Sequence, residues 1–263
     1  MVDFQQCLEH PITNIIYGIR QVSPMEEKYP IIDAHCHVLP GVDDGARNME
    51  ESMRLLELAY RQGITSVIAT PHDRGDRDFV KCEELRERLQ ETARETLADF
   101  CIYPGSENYY HEELPVRLDG KRASTLAESP CVLVEFHPAV SYGTMFRGLR
   151  RLTGTGYIPV LAHMERYACL RKEEYLKELL ESGCRLQMNF ESLQGSRFSS
   201  EVRWCRKQVL AGRIFLMGTD MHRLDFRPPD IKQALKWMDG YMEPEMRKRL
   251  LCDNPMSVIQ KET

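Results

Sequence analysis

Seven short segments rich in apolar and β-branched residues recur along the chain, at 31–35, 64–70, 101–105, 131–136, 158–163, 185–190 and 214–218. Stretches with helical periodicity lie between and after them, at 82–97, 142–152, 172–182, 201–211, 231–238 and 245–251. The clearest helix precedes these. Asn48 can cap it with Glu51 three residues on, Met53, Leu56 and Tyr60 share one face, and Gly63 ends it. Strand and helix in alternation give parallel pairing with right-handed crossovers, so the chain must form either an open doubly wound sheet or a closed barrel.

The polar residues at the strand ends decide between the two. They are His35 and His37, then His72, Glu107, Glu135, His163, Asn189, and finally Asp220 and His222. Successive positions are separated by between 26 (189 − 163) and 37 (72 − 35) residues, one strand and helix unit each. A barrel gathers all its C-terminal strand ends at one mouth, whereas an open sheet would spread them along a line. The expected fold is therefore α/β, a closed or nearly closed (β/α)7 barrel, and 263 residues suit one such domain.

Alternate residues of a strand point to one side, so His35 and His37 can hold one cation together, with Cys36 facing away. The same spacing returns in Asp220-Met221-His222, while Glu107, Glu135 and His163 add carboxylates and an imidazole. Such mixed nitrogen and oxygen ligands suit Mn²⁺, Zn²⁺, Fe²⁺ or Co²⁺, and they are too many for one ion. A lone histidine is more often a hydrogen-bonded core group. Ligand-type residues at strand end after strand end weigh against that bland reading here.

Composition removes other classes. The net charge is −5, from 35 Lys and Arg against 40 Asp and Glu, which disfavours nucleic acid as a partner. No apolar run approaches the roughly 18 residues of a membrane span, so no membrane insertion is expected. Residues 1–10 lack the basic flank and apolar run of a secretory signal, so the expected location is cytoplasmic. Nine cysteines lie singly, Cys7 among them, and are read as reduced thiols. Cys82 and Arg88 have the C-x5-R spacing of a thiol phosphatase, but the residues between are acidic, helical and without glycine, so no phosphate loop is expected there. The basic groups at Arg147, Arg150 and Arg151 and at Arg203, Arg206 and Lys207 are read as solvated helix faces.

Five motifs carry a resemblance: Ile-Ile-Asp-Ala-His-Cys-His-Val-Leu-Pro-Gly-Val-Asp-Asp-Gly-Ala at 31–46, Ala-Thr-Pro-His at 69–72, Gly-Ser-Glu-Asn-Tyr-Tyr at 105–110, Leu-Ala-His-Met-Glu-Arg-Tyr at 161–167 and Gly-Thr-Asp-Met-His at 218–222. The chain resembles the PHP (polymerase and histidinol phosphatase) superfamily, and within it the bacterial manganese-dependent protein-tyrosine phosphatases of capsule and exopolysaccharide synthesis. The resemblance implies a distorted TIM-like (β/α)7 barrel over residues 31–263, preceded by an extension over 1–30 with no assigned role. It further implies three divalent metal ions, manganese first, with iron, zinc or cobalt as alternatives. One ion would take His35, His37, Glu107 and Asp220; a second would share Glu107 and add Glu135 and His163; a third would take Asp44, His72 and His222. Arg166 and Arg227 match arginines expected to grip the phosphate.

The implied substrate is phosphotyrosine on a bacterial tyrosine kinase, and an oligomer is compatible with this reading. Two alternatives stand beside it: a phosphatase for a small phosphomonoester such as histidinol phosphate, and a non-catalytic phosphotyrosine-binding regulator. Substrate selection is expected in the loops at 74–77 and 137–139, and Tyr109 and Tyr110 are read as either pocket lining or packing.

Overall fold

The structure, a computed structural model, describes residues 29–261. Most of the expected extension, residues 1–28, and with it Cys7, lies outside the described residues.

Along the chain the strands and helices are β1 (Ile31–Cys36), α1 (Met49–Tyr60), β2 (Ile64–Ala69), β3 (His72–Asp73), α2 (Phe79–Thr96), β4 (Cys101–Pro104), β5 (Glu107–Tyr109), α3 (Leu114–Asp119), β6 (Cys131–Glu135), α4 (Tyr142–Gly154), β7 (Ile158–Leu161), α5 (Glu173–Glu181), β8 (Arg185–Asn189), α6 (Ser200–Leu210), β9 (Leu216–Gly218), α7 (Lys232–Tyr241), α8 (Pro244–Lys248) and α9 (Asn254–Ile259). All seven expected strands are present.

The two short extra strands have a local cause. Pro71 has no N–H to give a ladder, so β2 stops and the chain resumes as β3. β4 likewise stops before Gly105 and Ser106 and resumes as β5. Gly105 is required at this kink, because a Cβ there would lie 2.9 Å from Ile68 Cγ2. The offset sets His72 opposite Glu107 in the β3–β5 pairing. A polar pair that will matter chemically is thus created by an interruption of the sheet.

All strand pairs are parallel, in the orders β1-β2-β4 and β3-β5-β6-β7-β8-β9. Counting each interrupted strand once, the nine strands make seven staves (9 − 2). The last returns to the first. His37 N donates to Met221 O and Asp220 N to His35 O, both at 2.8 Å, closing the sheet into a barrel. The expected (β/α)7 barrel is what forms, and the two broken staves are its distortion.

Alternation along the staves sorts side chains between two apolar layers. Cys131, Leu133, Val160 and Leu216 meet inside, with Val258 and Ile259 of α9 against them. Val132, Val134, Leu161, Leu186 and Met188 belong to the outer layer, together with Leu55, Leu89, Leu149, Leu176 and Val209 of the helices. Each fully buried aliphatic side chain contributes roughly 1.5–3 kcal/mol relative to exposure, which offsets the cost of a mouth full of buried polar groups.

Helix α1 starts as the sequence predicts, with Asn48 Oδ1 accepting from Glu51 N at 2.9 Å. Glu51 does not return the bond. Its carboxylate accepts from Arg47 N at 2.8 Å, from the Arg47 guanidinium at 2.7 Å and from Leu224 N at 3.2 Å. The start of α1 is thereby tied to the segment that carries Arg227. The single helix expected at 245–251 is instead α8, a π-helical turn over Arg249–Asp253 and α9, whose first turn holds Pro255. Helix α3 was not expected from periodicity. Among the described residues no helix is long and apolar enough to cross a membrane.

Candidate metal centre

The mouth is built stave by stave. His35 Nε2 and His37 Nε2, both fully buried, lie 3.2 Å apart. They face Glu107 Oε2 at 3.3 and 3.4 Å, and Asp220 Oδ1 at 3.7 and 3.4 Å. Glu107 also meets His163 Nε2 through Oε1 at 2.8 Å and His72 Nδ1 through Oε2 at 2.9 Å. Glu135 reaches His163 at 3.5 Å and His72 at 3.8 Å. On the outer side, Asp44 Oδ1 lies 3.5 Å from His72 Nε2 and 3.7 Å from His222 Nε2.

All nine residues singled out as metal ligands from the sequence therefore meet at one mouth. Among the described residues three groups bring ligand atoms within 4.8 Å of one another: His37, Asp44, His72 and His222; His35, His37 and Glu107; and His72, Glu107 and Glu135. His37 and His72 thus each bridge two groups. Asn189, the remaining strand-end residue, donates through Nδ2 to Asp220 Oδ2 at 3.0 Å.

The donor chemistry fits divalent cations. Glu107 Oε2 is buried and has no hydrogen-bond partner among the described residues, although three imidazole nitrogens stand within 3.4 Å of it. A buried carboxylate oxygen and imidazole nitrogens that converge in this way could hold a cation, and a donor set of this mixed type suits a first-row transition metal. Burial alone would raise the carboxyl of Glu107, yet His35, His163 and His37 hold it well below the usual range. Burial would also lower His37, but Asp220, Asp43 and Glu107 keep it well above its ordinary value. For His163 burial is outweighed by Glu107 and Glu135, which carry it up to about 9. His222 moves the other way, to about 4, through burial and the charge on His37. His37 and His163 thus hold protons, which cation binding there would release.

The orienting groups were not singled out from the sequence. Asp43 Oδ2 accepts from His37 Nδ1 and from His72 N, both at 2.9 Å, while its Oδ1 accepts from Gly45 N. Gln187 Oε1 accepts from His163 N at 2.6 Å and contacts His35 Nδ1 at 3.1 Å. Its amide passes to Asn189, and so to Asp220. Asp33 takes Thr219 N at 2.9 Å and His35 N at 3.1 Å. The period-2 rule would have found two of these groups, since Asp33 stands two residues before His35 and Gln187 two before Asn189.

Close backbone approach fixes the frame. A Cβ at Gly218 would lie 2.5 Å from His35 Cβ, and one at Gly45 would lie 2.2 Å from His37 O. His163, Asp220 and Arg227 adopt left-handed backbone, with φ of 31°, 53° and 54°. Such backbone is costly for non-glycine residues and persists only where the surroundings over-determine it.

Both expected arginines reach the centre. Arg166, on the 3₁₀ turn Met164–Arg166 after β7, donates from Nη2 to Asp220 Oδ2, and Arg227 Nη1 donates to the same oxygen at 3.2 Å. Two guanidinium groups flanking a buried cluster are donors of the kind that can pair with an anion. Tyr110 packs rather than lining the centre, with its ring stacked on Phe136 at 4.8 Å. Cys82 lies within helix α2, its thiol pushed up by burial.

The chain matches the family model "Capsular polysaccharide synthesis, CpsB/CapC" over residues 31–260. It is similar to the tyrosine-protein phosphatase CpsB of Streptococcus pneumoniae, 33% identical over 244 residues, covering 88% of this chain and 99% of that protein. The tyrosine-protein phosphatase YwqE of Bacillus subtilis is 28% identical over 240 residues, covering 89% of this chain and 93% of the relative. A solved structure from work on YwqE of Bacillus subtilis and CpsB of Streptococcus pneumoniae, described as unique metal-dependent tyrosine phosphatases, superposes with a TM-score of 0.78 at 27% identity, covering 89% and 96% of the two chains. The phosphotriesterase homology protein of Escherichia coli shares the fold alone, with a TM-score of 0.54 at 14% identity.

Proposed function

The chain belongs to the CpsB/CapC family of capsular polysaccharide synthesis, and from that premise we propose that it hydrolyses phosphotyrosine at a cluster of divalent cations held in the barrel mouth. It is a metal-dependent tyrosine phosphatase by its relatives and by its fold. The observation that carries the assignment to this site is Glu107 Oε2, a buried carboxylate oxygen ringed by imidazole nitrogens without a hydrogen bond.

In the reading we favour there are three ions, manganese by preference. His35, His37, Glu107 and Asp220 would hold one, Glu107, Glu135 and His163 a second, and Asp44, His72 and His222 a third. Bound there, divalent cations would lower the pKa of water and neutralise charge on the phosphoryl oxygens. The chain's own groups supply orientation. Asp43 and Gln187 fix the imidazole rings of His37 and His35, which sets the nitrogen each turns to the centre. Arg166 and Arg227 would turn from Asp220 to the phosphoryl oxygens, where paired N–H groups match the tetrahedral face. The leaving phenol has a pKa of about 10, so its departure needs no strong general acid from the protein.

The physiological substrate we favour is a bacterial tyrosine kinase of capsule or exopolysaccharide synthesis, dephosphorylated in the cytoplasm. We take the target tyrosine to lie in a flexible segment of that kinase, which can reach the barrel mouth. We take residues 31–263 as the catalytic unit, with residues 1–30 an N-terminal extension of no assigned role.

Protein loaded with manganese and given a phosphotyrosyl peptide is expected to release phosphate, and a chelator is expected to stop it. No release, or release undiminished by chelation, would sink the proposal. Tight binding of the peptide with no release under any divalent metal would point to the regulator instead.

A further inference from the structure

Beside the metal centre, at the same end of the barrel, lies a groove of about 900 Å³. Its walls come from the segments after β6, β7 and β8 and from the first turns of α6, and include Glu165, Arg166, Asn189, Glu191, Glu201 and Trp204. Arg166 and Asn189 belong to both spaces, because each also bonds to Asp220. A ligand whose phosphate sits at the cations can therefore continue into the groove.

The groove's charges are unevenly committed. Arg166 is turned to Asp220, and Arg171 lies with its guanidinium 3.8 Å over the Trp204 ring while donating to Glu165 O. The carboxylates are less engaged. Glu191 and Glu201 are exposed and pair with no Lys or Arg among the described residues. Glu165 uses Oε1 to accept from Asn189 N at 3.1 Å and Ser192 Oγ at 2.7 Å. Its Oε2 is buried and accepts no hydrogen bond among the described residues. The wall thus offers acceptors and negative charge beside a centre suited to an anion.

We propose that this groove binds the polypeptide flanking the phosphotyrosine and selects for lysine or arginine there. The inference rests on the phosphatase reading above and extends it to the substrate's neighbouring residues. Phosphate and flank would be sorted by charge, the first to the arginines and cations, the second to Glu191 and Glu201. The rim of the Trp204 ring gives an apolar surface for the stem of a long basic side chain. A free aryl phosphate has no flank and would not engage the groove.

The test compares two phosphotyrosyl peptides, identical except for lysines or glutamates on both sides of the tyrosine, with p-nitrophenyl phosphate as a substrate lacking a flank. Manganese-loaded wild type is expected to favour the lysine peptide by about fivefold to tenfold in kcat/KM at low salt, the size expected of two exposed charge pairs, and less at high salt. The double variant Glu191→Lys with Glu201→Lys changes two exposed positions. It is expected to lose or reverse the preference while turning over p-nitrophenyl phosphate at the wild-type rate. Wild type that cleaves p-nitrophenyl phosphate but treats the peptides alike, or a double variant that keeps the preference, would overturn the groove assignment and leave the phosphatase reading standing. Wild type that cleaves none of the three would overturn both.

Discussion

Glu107→Gln is expected to lower phosphotyrosyl-peptide hydrolysis by on the order of 10³-fold or more, with metal content falling in parallel. The substitution keeps the shape of the side chain and removes its charge. Glu107 is the one carboxylate within 3.4 Å of His35, His37, His72 and His163, so its charge is shared by more of the cluster than any other. A neutral amide would leave three of those ring nitrogens facing an oxygen or an N–H that cannot balance a cation. The amide is nearly isosteric and the residue fully enclosed, so the barrel is expected to remain folded, which circular dichroism checks. Kinetics and elemental analysis on the same preparation decide the matter; a variant within tenfold of wild type would show that Glu107 is not a ligand.

Arg166→Ala should separate phosphate binding from cation binding. A fall of about 10²-fold in kcat/KM is expected, the size found when one preorganised donor to a developing anionic centre is removed. Metal content should stay at the wild-type level, because the guanidinium meets the cluster only through Asp220 Oδ2. Arg166→Lys is expected to recover only part of the loss, since an ammonium carries the charge without the two-pronged geometry. Arg227 donates to the same oxygen, so the double substitution Arg166→Ala with Arg227→Ala is expected to cost less than the product of the two single effects. Loss of metal from Arg166→Ala would mean that the arginine stabilises Asp220 as a ligand and does not serve the phosphate.

The barrel was legible in the sequence because two periodicities agreed. Apolar segments recurred at the spacing of a strand and helix unit, and a ligand-type residue stood at the end of each, which only closure can bring together. The two staves that break were not legible as breaks. Pro71 and Gly105 signal an interruption, but that His72 and Glu107 resume as paired strands depends on how neighbouring staves twist past each other. Asp44, Arg166 and Arg227 were reached through the family motifs alone, since none of the three stands at a strand end. The supporting residues were missed for a different reason. Asp43, Gln187 and Asp33 are ordinary in composition and acquire their roles from hydrogen bonds to residues as far as 186 positions away, as between Asp33 and Thr219. Strand alternation marks Asp33 and Gln187 as facing the same way as His35 and Asn189, but no local pattern specifies a contact of that range. The groove beside the centre was equally hidden, because its walls come from three loops and a helix.

Crystals grown with manganese and measured at the manganese absorption edge offer the most direct test. Anomalous peaks are expected between His35, His37 and Asp220, between Glu135 and His163, and between Asp44, His72 and His222, with Glu107 reaching the first two. Peaks away from Glu107, or none at the barrel mouth, would contradict the cation cluster on which the chemistry depends.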